Sequence, residues 1–178
     1  LCLSLMKRLD YYIGSVHYLG TIKNGVRWTV DYNIQELLQG IDECFGGNIR
    51  KAVETYYQAV SEMAERYQPP IIGHLDLFNK NNKDNVLFDE RETWYVEAVK
   101  KCLDTINKTS SIIEINTGGM ARNNNKEQYP STMILEMVKE RNIPVMVNSD
   151  AHTADKITYK FNDMYRLVDD IGFDSLVY

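Results

Sequence analysis

The chain has 178 residues, of which 44% are hydrophobic and 25% are charged, a composition typical of a globular domain. This excludes collagen-like, low-complexity and wholly disordered classes, and the length suits one sizeable core, so we interpret residues 1–178 as a single domain. The formal net charge of −5 argues against a broad basic surface for nucleic acid but allows a local site for one small anion.

Targeting signals and cysteines give two further expectations. No run approaches the ~20 consecutive apolar residues of a membrane span, and Leu1–Asp10 carries several charges, unlike a secretory leader. We therefore expect a cytoplasmic protein with no membrane partner. Cys2, Cys44 and Cys102 lie far apart and outside any Cys-x-x-Cys pattern, so we expect reduced thiols rather than disulfides or a thiolate zinc site.

The first elements are predicted from a β-rich run and two helical patterns. Tyr11–Val16 is β-rich and ends at His17, and a short helix is predicted near Asn33–Gln39. Asn48 is a suitable N-cap for the first long helix, which Pro69 and Pro70 end. Apolar residues at three- and four-residue steps predict its buried face: Ile49, Val53, Tyr56, Val60, Met63 and Tyr67.

The middle of the chain predicts a strand, a loop and a second helix. The run 71–73 is a short strand that places His74 at its carboxyl end, and the polar segment Asn79–Asn85 is a loop. A helix is predicted to start near Asp89. Its predicted core stripe is Tyr95, Ala98 or Val99, Cys102 and Ile106.

The last part of the chain continues the alternation of strands and helices. Strands are predicted at Ser111–Asn116 and Pro144–Val147, and a glycine- and asparagine-rich loop at Thr117–Gln128. Helices are predicted from Ser131 to Arg141 and over Asn162–Ile171. This alternation predicts an α/β fold with parallel strands and helical crossovers.

All three histidines, His17, His74 and His152, directly follow a short β-rich run or its turn. Carboxyl ends of parallel strands converge on one edge, so residues that are distant in sequence can meet there. Asp150 precedes His152 by two residues, and Asp76 follows His74 at the same spacing. Imidazole and carboxylate groups suit zinc, manganese or iron, although each histidine can also be an ordinary core or surface residue.

Four motifs carry a family resemblance. They are Ile13–Gly14–Ser15–Val16–His17, Gly73–His74–Leu75–Asp76, Ile113–Glu114–Ile115–Asn116–Thr117 and Asn148–Ser149–Asp150–Ala151–His152. In this order they resemble the histidinol-phosphate phosphatases of the polymerase-and-histidinol-phosphatase (PHP) superfamily. The loop containing Arg122 and Tyr129–Pro130–Ser131 is also similar to that family's loop.

The resemblance implies a distorted seven-stranded, TIM-like β/α barrel whose strand ends hold up to three divalent metal ions. The His-x-His motif with which the superfamily normally opens does not occur in this sequence. We therefore expect residues 1–178 to form the C-terminal portion of such a barrel, a single PHP-like domain that is N-terminally incomplete. Open sheet edges would favour a homo-oligomer or strand exchange.

The resemblance also implies a function and a set of site residues. The expected activity is metal-dependent hydrolysis of a small phosphate ester, L-histidinol phosphate, in histidine biosynthesis. The implied metal ligands are His17, His74, Asp150 and His152, of which Asp150 and His152 are also the expected catalytic residues. Arg122 is the expected phosphate contact, because a guanidinium fork matches phosphate oxygens. The expected cofactors are manganese, zinc or iron ions.

Further site candidates come from position alone. Asp31, Trp28 and Glu114 could contact the amine or imidazole of the substrate, Asp76 belongs to the second carboxylate–imidazole pair, and Asn116 ends the Glu-x-Asn strand. Each can instead be an ordinary loop or strand residue.

Other functions stay open at this point. The chain could be a catalytically incomplete metal-binding fragment, a PHP phosphoesterase for another ester, or an α/β domain with three unrelated histidines. No cysteine occurs in a Cys-x5-Arg loop, so a cysteinyl-phosphate intermediate is not expected.

Overall fold

The structure is a computed structural model that describes residues 8–123 and 126–177. The strands in this part are β1 (Ile13–Gly14), β2 (Tyr18–Thr21), β3 (Arg27–Thr29), β4 (Ile71–Ile72), β5 (Ile112–Asn116) and β6 (Val145–Asn148). The α-helices are α1 (Ile34–Phe45), α2 (Ile49–Tyr67), α3 (Thr93–Ile106), α4 (Gly118–Asn123), α5 (Thr132–Glu140) and α6 (Phe161–Ile171). Short 3-10 helices occur at Leu77–Asn81, Lys83–Asn85 and Ala154–Lys156.

Four strands form one parallel sheet in the order β1-β4-β5-β6, which is also their order along the chain. Ile13 pairs with Ile71, Ile72 with Ile113, and Asn116 with Asn148. The expected α/β fold with parallel strands is therefore confirmed. Because all four strands run in the same direction, their carboxyl ends lie along one edge of the sheet.

Helix α2 shows how the local sequence sets the element boundaries. Asn48 accepts the N–H of Lys51 at 3.0 Å as the predicted N-cap, and the helix ends where Gln68 adopts a left-handed conformation, φ 42°, directly before Pro69. Val53, Tyr56 and Val60 are buried as predicted. The prediction was wrong for Tyr67, which is 44% exposed on the last turn.

The core stripe predicted for α3 is confirmed, with Tyr95, Val99, Cys102 and Ile106 buried, although the helix begins at Thr93 rather than near Asp89. Helix α1 is longer than predicted and continues to Phe45. Successive helices pack against one another in chain order: α1 on α2, α2 on α3, α3 on α5 and α5 on α6. The core therefore forms between this row of helices and the parallel sheet.

Two elements were not predicted. Strands β2 and β3 form a hairpin whose turn contains Gly25 at φ 81°, a conformation that glycine adopts without strain. Helix α4 lies inside the segment predicted as the loop Thr117–Gln128. Its first N–H, from Gly118, is capped by Asn116 Oδ1 at 2.7 Å, so a side chain two residues earlier starts a helix that the glycine-rich composition does not favour.

In the ranges 8–123 and 126–177, no helix combines the length and the apolar character that a membrane crossing requires. Cys2 lies outside those ranges, whereas Cys44 and Cys102 are free thiols as expected.

Candidate active site

A polar cavity of about 420 Å³ lies at the carboxyl ends of the parallel strands. The segment after β1 brings Ser15 and His17 to it, the turn after β4 brings His74, β5 contributes Glu114, and the segment after β6 contributes Asp150. The full lining is Ile13, Ser15, His17, Asp31, His74, Leu77, Lys80, Glu114, Asn116, Arg122, Tyr129, Asn148, Asp150 and His152. The three histidines therefore share one cavity.

His17 and His74 face each other in this cavity, with ring centroids 4.9 Å apart and the rings nearly perpendicular. His17 Nδ1 lies 3.3 Å from Asp31 Oδ1. This hydrogen bond raises the pKa of His17 above its ordinary value. Burial alone would raise the pKa of Asp31, but the hydrogen bond and the charge of His17 outweigh it, so the pKa of Asp31 is lowered.

The environment of His74 lowers its pKa, whereas the environment of His17 raises the pKa of that residue. The side chain of His74 is buried, and this burial lowers its pKa and favours the neutral imidazole. The backbone of His74 is left-handed, φ 29°, which is unusual for a residue other than glycine. Among the residues described, its buried Nδ1 has no hydrogen-bond partner. A neutral, buried imidazole nitrogen without a protein partner is available to a ligand.

Glu114 holds this part of the site together. It is 1% exposed, and its Oε2 accepts the backbone N–H of His74 at 2.9 Å and Asn116 Nδ2 at 2.8 Å. Its Oε1 accepts Asn148 Nδ2 at 2.6 Å. The carboxylate therefore joins three parallel strands or their ends and fixes the backbone of His74.

Arg122 connects the other half of the site. Its Nη2 donates to Asp150 Oδ2 at 2.6 Å, and its Nη1 donates to the Asp150 carbonyl and lies 2.9 Å from His152 Nδ1. His152 Nδ1 also lies 2.9 Å from the Asp150 carbonyl, so this ring nitrogen faces one donor and one acceptor. Asp150 has a left-handed backbone, φ 45°, like His74.

The structure thus brings together most of the residues that the sequence singled out, but it separates two of them. Trp28 is 1% exposed and packs against Gly40 in the core, so its assignment as a substrate partner is corrected. Asp76 lines a second cavity rather than the first, because its side chain turns to the backbone N–H of Ser131, 2.9 Å away. Burial raises the pKa of Asp76 to about 8.

Sequence reasoning missed Lys80 and Asn148 as cavity residues. Lys80 lies in the segment interpreted as a polar loop, which instead forms a 3-10 helix, and its ammonium donates to the carbonyl of Asp31 at 2.5 Å. Asn148 belongs to a quoted motif, but only the pairing of β5 with β6 reveals its contact with Glu114.

The donor set fits part of a metal centre. Two imidazoles face each other, and the orphaned Nδ1 of His74 favours a ligand at this position. Asp150 and His152 are held by Arg122. Across ranges 8–123 and 126–177, no group of three or more His, Cys, Asp or Glu side chains is placed to hold an ion.

Comparison with curated proteins confirms the resemblance. A Deinococcus radiodurans protein named probable histidinol-phosphatase is 31% identical over 163 residues, covering 92% of this chain and 55% of that protein. The histidinol-phosphatase of Bacillus subtilis is 29% identical over 86% of this chain and 56% of its own length. The Schizosaccharomyces pombe protein named probable histidinol-phosphatase is 26% identical over 94% of this chain and 53% of its own length. The chain thus spans about half the length of these relatives.

A solved structure confirms the fold. A Listeria monocytogenes protein that is provisionally assigned as a histidinol phosphatase superposes with a TM-score of 0.76 at 21% identity. The match covers 90% of this chain and 60% of that protein. No protein-family model matches the chain.

Proposed function

We propose that the protein is a metal-dependent histidinol-phosphatase that hydrolyses L-histidinol phosphate to L-histidinol and phosphate. The observation that carries this proposal is the convergence of His17, His74, Asp150, His152 and Arg122 on one polar cavity at the strand ends. The curated relatives support the choice of substrate, since their names state this activity.

Arg122 and Lys80 are the cations that can bind the phosphate ester in this cavity. The guanidinium of Arg122 now donates to Asp150, and phosphate oxygens entering the cavity would compete for the same two nitrogens. Lys80 adds a second positive charge, and its present acceptor is only a neutral carbonyl. Two cations therefore offset the charge of a phosphate monoester dianion.

The leaving alkoxide needs a proton, and His152 is the candidate donor in the state in which its ring does not bind a metal ion. Its ring lines the cavity beside the Arg122 guanidinium, next to the position proposed for the phosphate ester. Arg122 therefore binds the phosphate beside the proposed proton donor.

Divalent manganese, zinc or iron, up to three ions, completes the proposal, with His17, His74, Asp150 and His152 as ligands. When bound, such ions supply positive charge for the phosphoryl oxygens and make water more acidic. The lowered pKa of His74 supports this role, because only the neutral imidazole is a ligand.

The test is phosphate release from L-histidinol phosphate by the complete protein with added Mn²⁺, Zn²⁺ or Fe²⁺, with phosphotyrosine and p-nitrophenyl phosphate as competing substrates. Elemental analysis of the purified protein identifies the bound metal. We expect L-histidinol phosphate to have the highest kcat/KM. His152→Ala and Arg122→Lys should each lower kcat/KM by about 10²-fold. Arg66→Lys, at the exposed end of α2, is the matched control and should retain full activity. No phosphate release with any of the three metals would contradict the proposal.

A second candidate function, for the 178-residue chain by itself, is metal binding without catalysis. Two observations favour it. The chain spans about half the length of its relatives, and the Arg122 guanidinium contacts the side chains of Asp150 and His152. Fewer than two ions per chain, together with no turnover, would favour this candidate.

The barrel is also a proposal: the chain forms the C-terminal portion of a distorted seven-stranded, TIM-like barrel. The strand order supports it, because β1-β4-β5-β6 follows the chain without the reversal of a doubly wound sheet. The row of successively packed helices also supports it.

We further propose a cytoplasmic location, as suits a biosynthetic phosphatase, and no nucleic-acid or membrane partner. Self-association through strand exchange at the sheet edges stays a prediction, which the molar mass in solution checks.

A further inference from the structure

A second cavity, of about 480 Å³, lies beside the first and shares Tyr129 with it. Its walls come from the two 3-10 helices Leu77–Asn81 and Lys83–Asn85 and from residues 126–131. The function proposed above uses none of its other residues. They are Asp76, Asn79, Asn82, Lys83, Asp84, Asn85, Glu90, Arg91, Lys126, Glu127, Gln128 and Ser131.

The local backbone explains why polar side chains gather here. The N–H of Asn79 donates to the carbonyl of Asp76 at 2.9 Å, and the N–H of Asn82 donates to that of Asn79 at 2.9 Å. In such three-residue turns, side chains three positions apart lie above one another. Asp76, Asn79 and Asn82 therefore line one face, which is the wall of the cavity.

Three buried polar atoms on this wall lack partners among the residues described: Asp76 Oδ1, Asn79 Oδ1 and Ser131 Oγ. Asp76 is 2% exposed and Ser131 is 7% exposed, so most of each residue is removed from solvent. The Ser131 N–H donates to Asp76 Oδ2, which keeps these two residues adjacent. Leaving buried acceptors unsatisfied costs about 1–3 kcal/mol each, so three at one cavity favour an occupant that donates hydrogen bonds to them.

The charges favour a positively charged ligand. Glu90 and Glu127 line the same cavity as Asp76. Burial raises the pKa of Glu90, as expected for a carboxyl group without a cationic neighbour. Three basic residues, Lys83, Arg91 and Lys126, also line the cavity but are exposed. Arg91 pairs with Asp89, and Lys126 pairs with Asp84.

We propose that this second cavity binds a primary ammonium group. An ammonium carries three N–H donors, and the wall offers three unsatisfied oxygens to receive them. An anion fits less well, because the acidic groups Asp76 and Glu90 line the wall.

The ammonium group has two available sources: the phosphate ester bound in the first cavity, or a separate small amine. The shared wall at Tyr129 is compatible with the first source. The inference itself requires only amine binding, so it does not depend on phosphate hydrolysis.

The test compares L-histidinol with its desamino analogue, 3-(imidazol-4-yl)propan-1-ol, by calorimetric titration of the protein. We expect L-histidinol to bind at least about tenfold more tightly, as a charge-assisted hydrogen-bond set implies. Asp76→Asn should abolish this preference, since the amide keeps an acceptor for the Ser131 N–H but, unlike the carboxyl group, cannot ionise when the ammonium binds. Ser131→Ala, which leaves the backbone contact intact, should reduce the preference.

Asp174→Asn is the matched control, because Asp174 is an exposed aspartate paired with Lys139 and the same substitution is made there outside the cavity. It should leave the preference unchanged. Thermal unfolding of each variant shows whether the fold is intact. Equal binding of the two ligands to the unmodified protein would overturn the proposal. Ordered water would then be the partner of the three unsatisfied oxygens. An equal loss of preference in Asp174→Asn would overturn it as well.

Steady-state kinetics distinguishes the two sources. If Asp76→Asn raises KM for L-histidinol phosphate but not for the desamino ester, the amine belongs to the substrate. If KM is unchanged and L-histidinol does not compete with the ester, the cavity binds a separate amine. Amine binding without any phosphate release would retain this inference while rejecting the proposed activity.

Discussion

Glu114 shows how one buried carboxylate can organise a site from a distance. Asn116 Oδ1 accepts the Gly118 N–H and Asn148 Oδ1 accepts the Ser149 N–H, so the amide nitrogens of both asparagines must point at Glu114. With the N–H of His74, Glu114 therefore faces three donors and no acceptor. Only a carboxylate, which accepts at both oxygens, satisfies this arrangement.

We expect Glu114→Gln to destabilise the fold by about 2–3 kcal/mol, the range for losing buried hydrogen bonds to a charged group. The new amide carries an NH2 group in place of one acceptor oxygen. This group must face either the amide nitrogen of Asn148 or the His74 N–H and the amide nitrogen of Asn116, and all of these are donors. Urea unfolding measures the change.

The double variant Glu114→Gln/Asn148→Asp provides the control. The aspartate accepts from the new amide and keeps its bond to the Ser149 N–H, so part of the lost stability should return. A single variant within about 0.5 kcal/mol of the parent would show that Glu114 is not held as described.

Cys102 gives a prediction on reactivity. Burial raises the pKa of its thiol to about 12, so very little thiolate is present at pH 8. Cys44 is partly exposed. We expect iodoacetamide to modify Cys44 in the native protein and to modify Cys102 only in urea. Peptide mass spectrometry measures both sites, and native alkylation of Cys102 at the rate of Cys44 would contradict the burial.

At the scale of elements, the β2-β3 hairpin packs against α1 through a contact between Trp28 and Gly40. A Cβ placed on Gly40 would lie 2.2 Å from Trp28 Cδ2 and 2.4 Å from Cε3. The indole of Trp28 is buried on the helix backbone at this point. Gly40 is therefore required for the close approach of strand β3 to α1, despite its weak helix propensity.

We expect Gly40→Ala to destabilise the protein by about 2 kcal/mol. Alanine gains about 1 kcal/mol in helix propensity, but displacing a buried indole costs about 3 kcal/mol. Urea unfolding decides between the two effects. Gln35→Ala, at an exposed position of the same helix, should change stability by less than about 0.5 kcal/mol. A Gly40→Ala protein as stable as its parent would show that the indole can move freely.

At the scale of the whole molecule, stability should be unevenly distributed. Strand β5 is paired on both sides and is buried over Ile113–Asn116, whereas the β2-β3 hairpin stands apart from the main sheet with Tyr18 50% exposed. Regions with few buried contacts open more readily than the core.

Hydrogen–deuterium exchange should therefore be slowest in β5 and in the packed pair α2 and α3. Amides of the hairpin should exchange about 10²-fold faster or more. Mass spectrometry of peptic peptides measures both regions in one experiment. Exchange in the hairpin as slow as in β5 would mean that the molecule unfolds as a single cooperative unit.

The sequence by itself determined the alternation of strands and helices, because hydrophobic periodicity, the Asn48 cap and Pro69 are local signals. It also determined the family resemblance and the first cavity's His17, His74, Arg122, Asp150 and His152, since these residues lie within or beside short motifs at strand ends.

Only the tertiary structure decided the remaining features, because they depend on contacts between distant segments. Trp28 enters the core because Gly40 leaves room for it. Asp76 leaves the histidine cavity because the Ser131 N–H, 55 residues away along the chain, holds its carboxylate in the second cavity. Spacing along the chain cannot report such a contact, since it forms only when the sheet brings the two segments together.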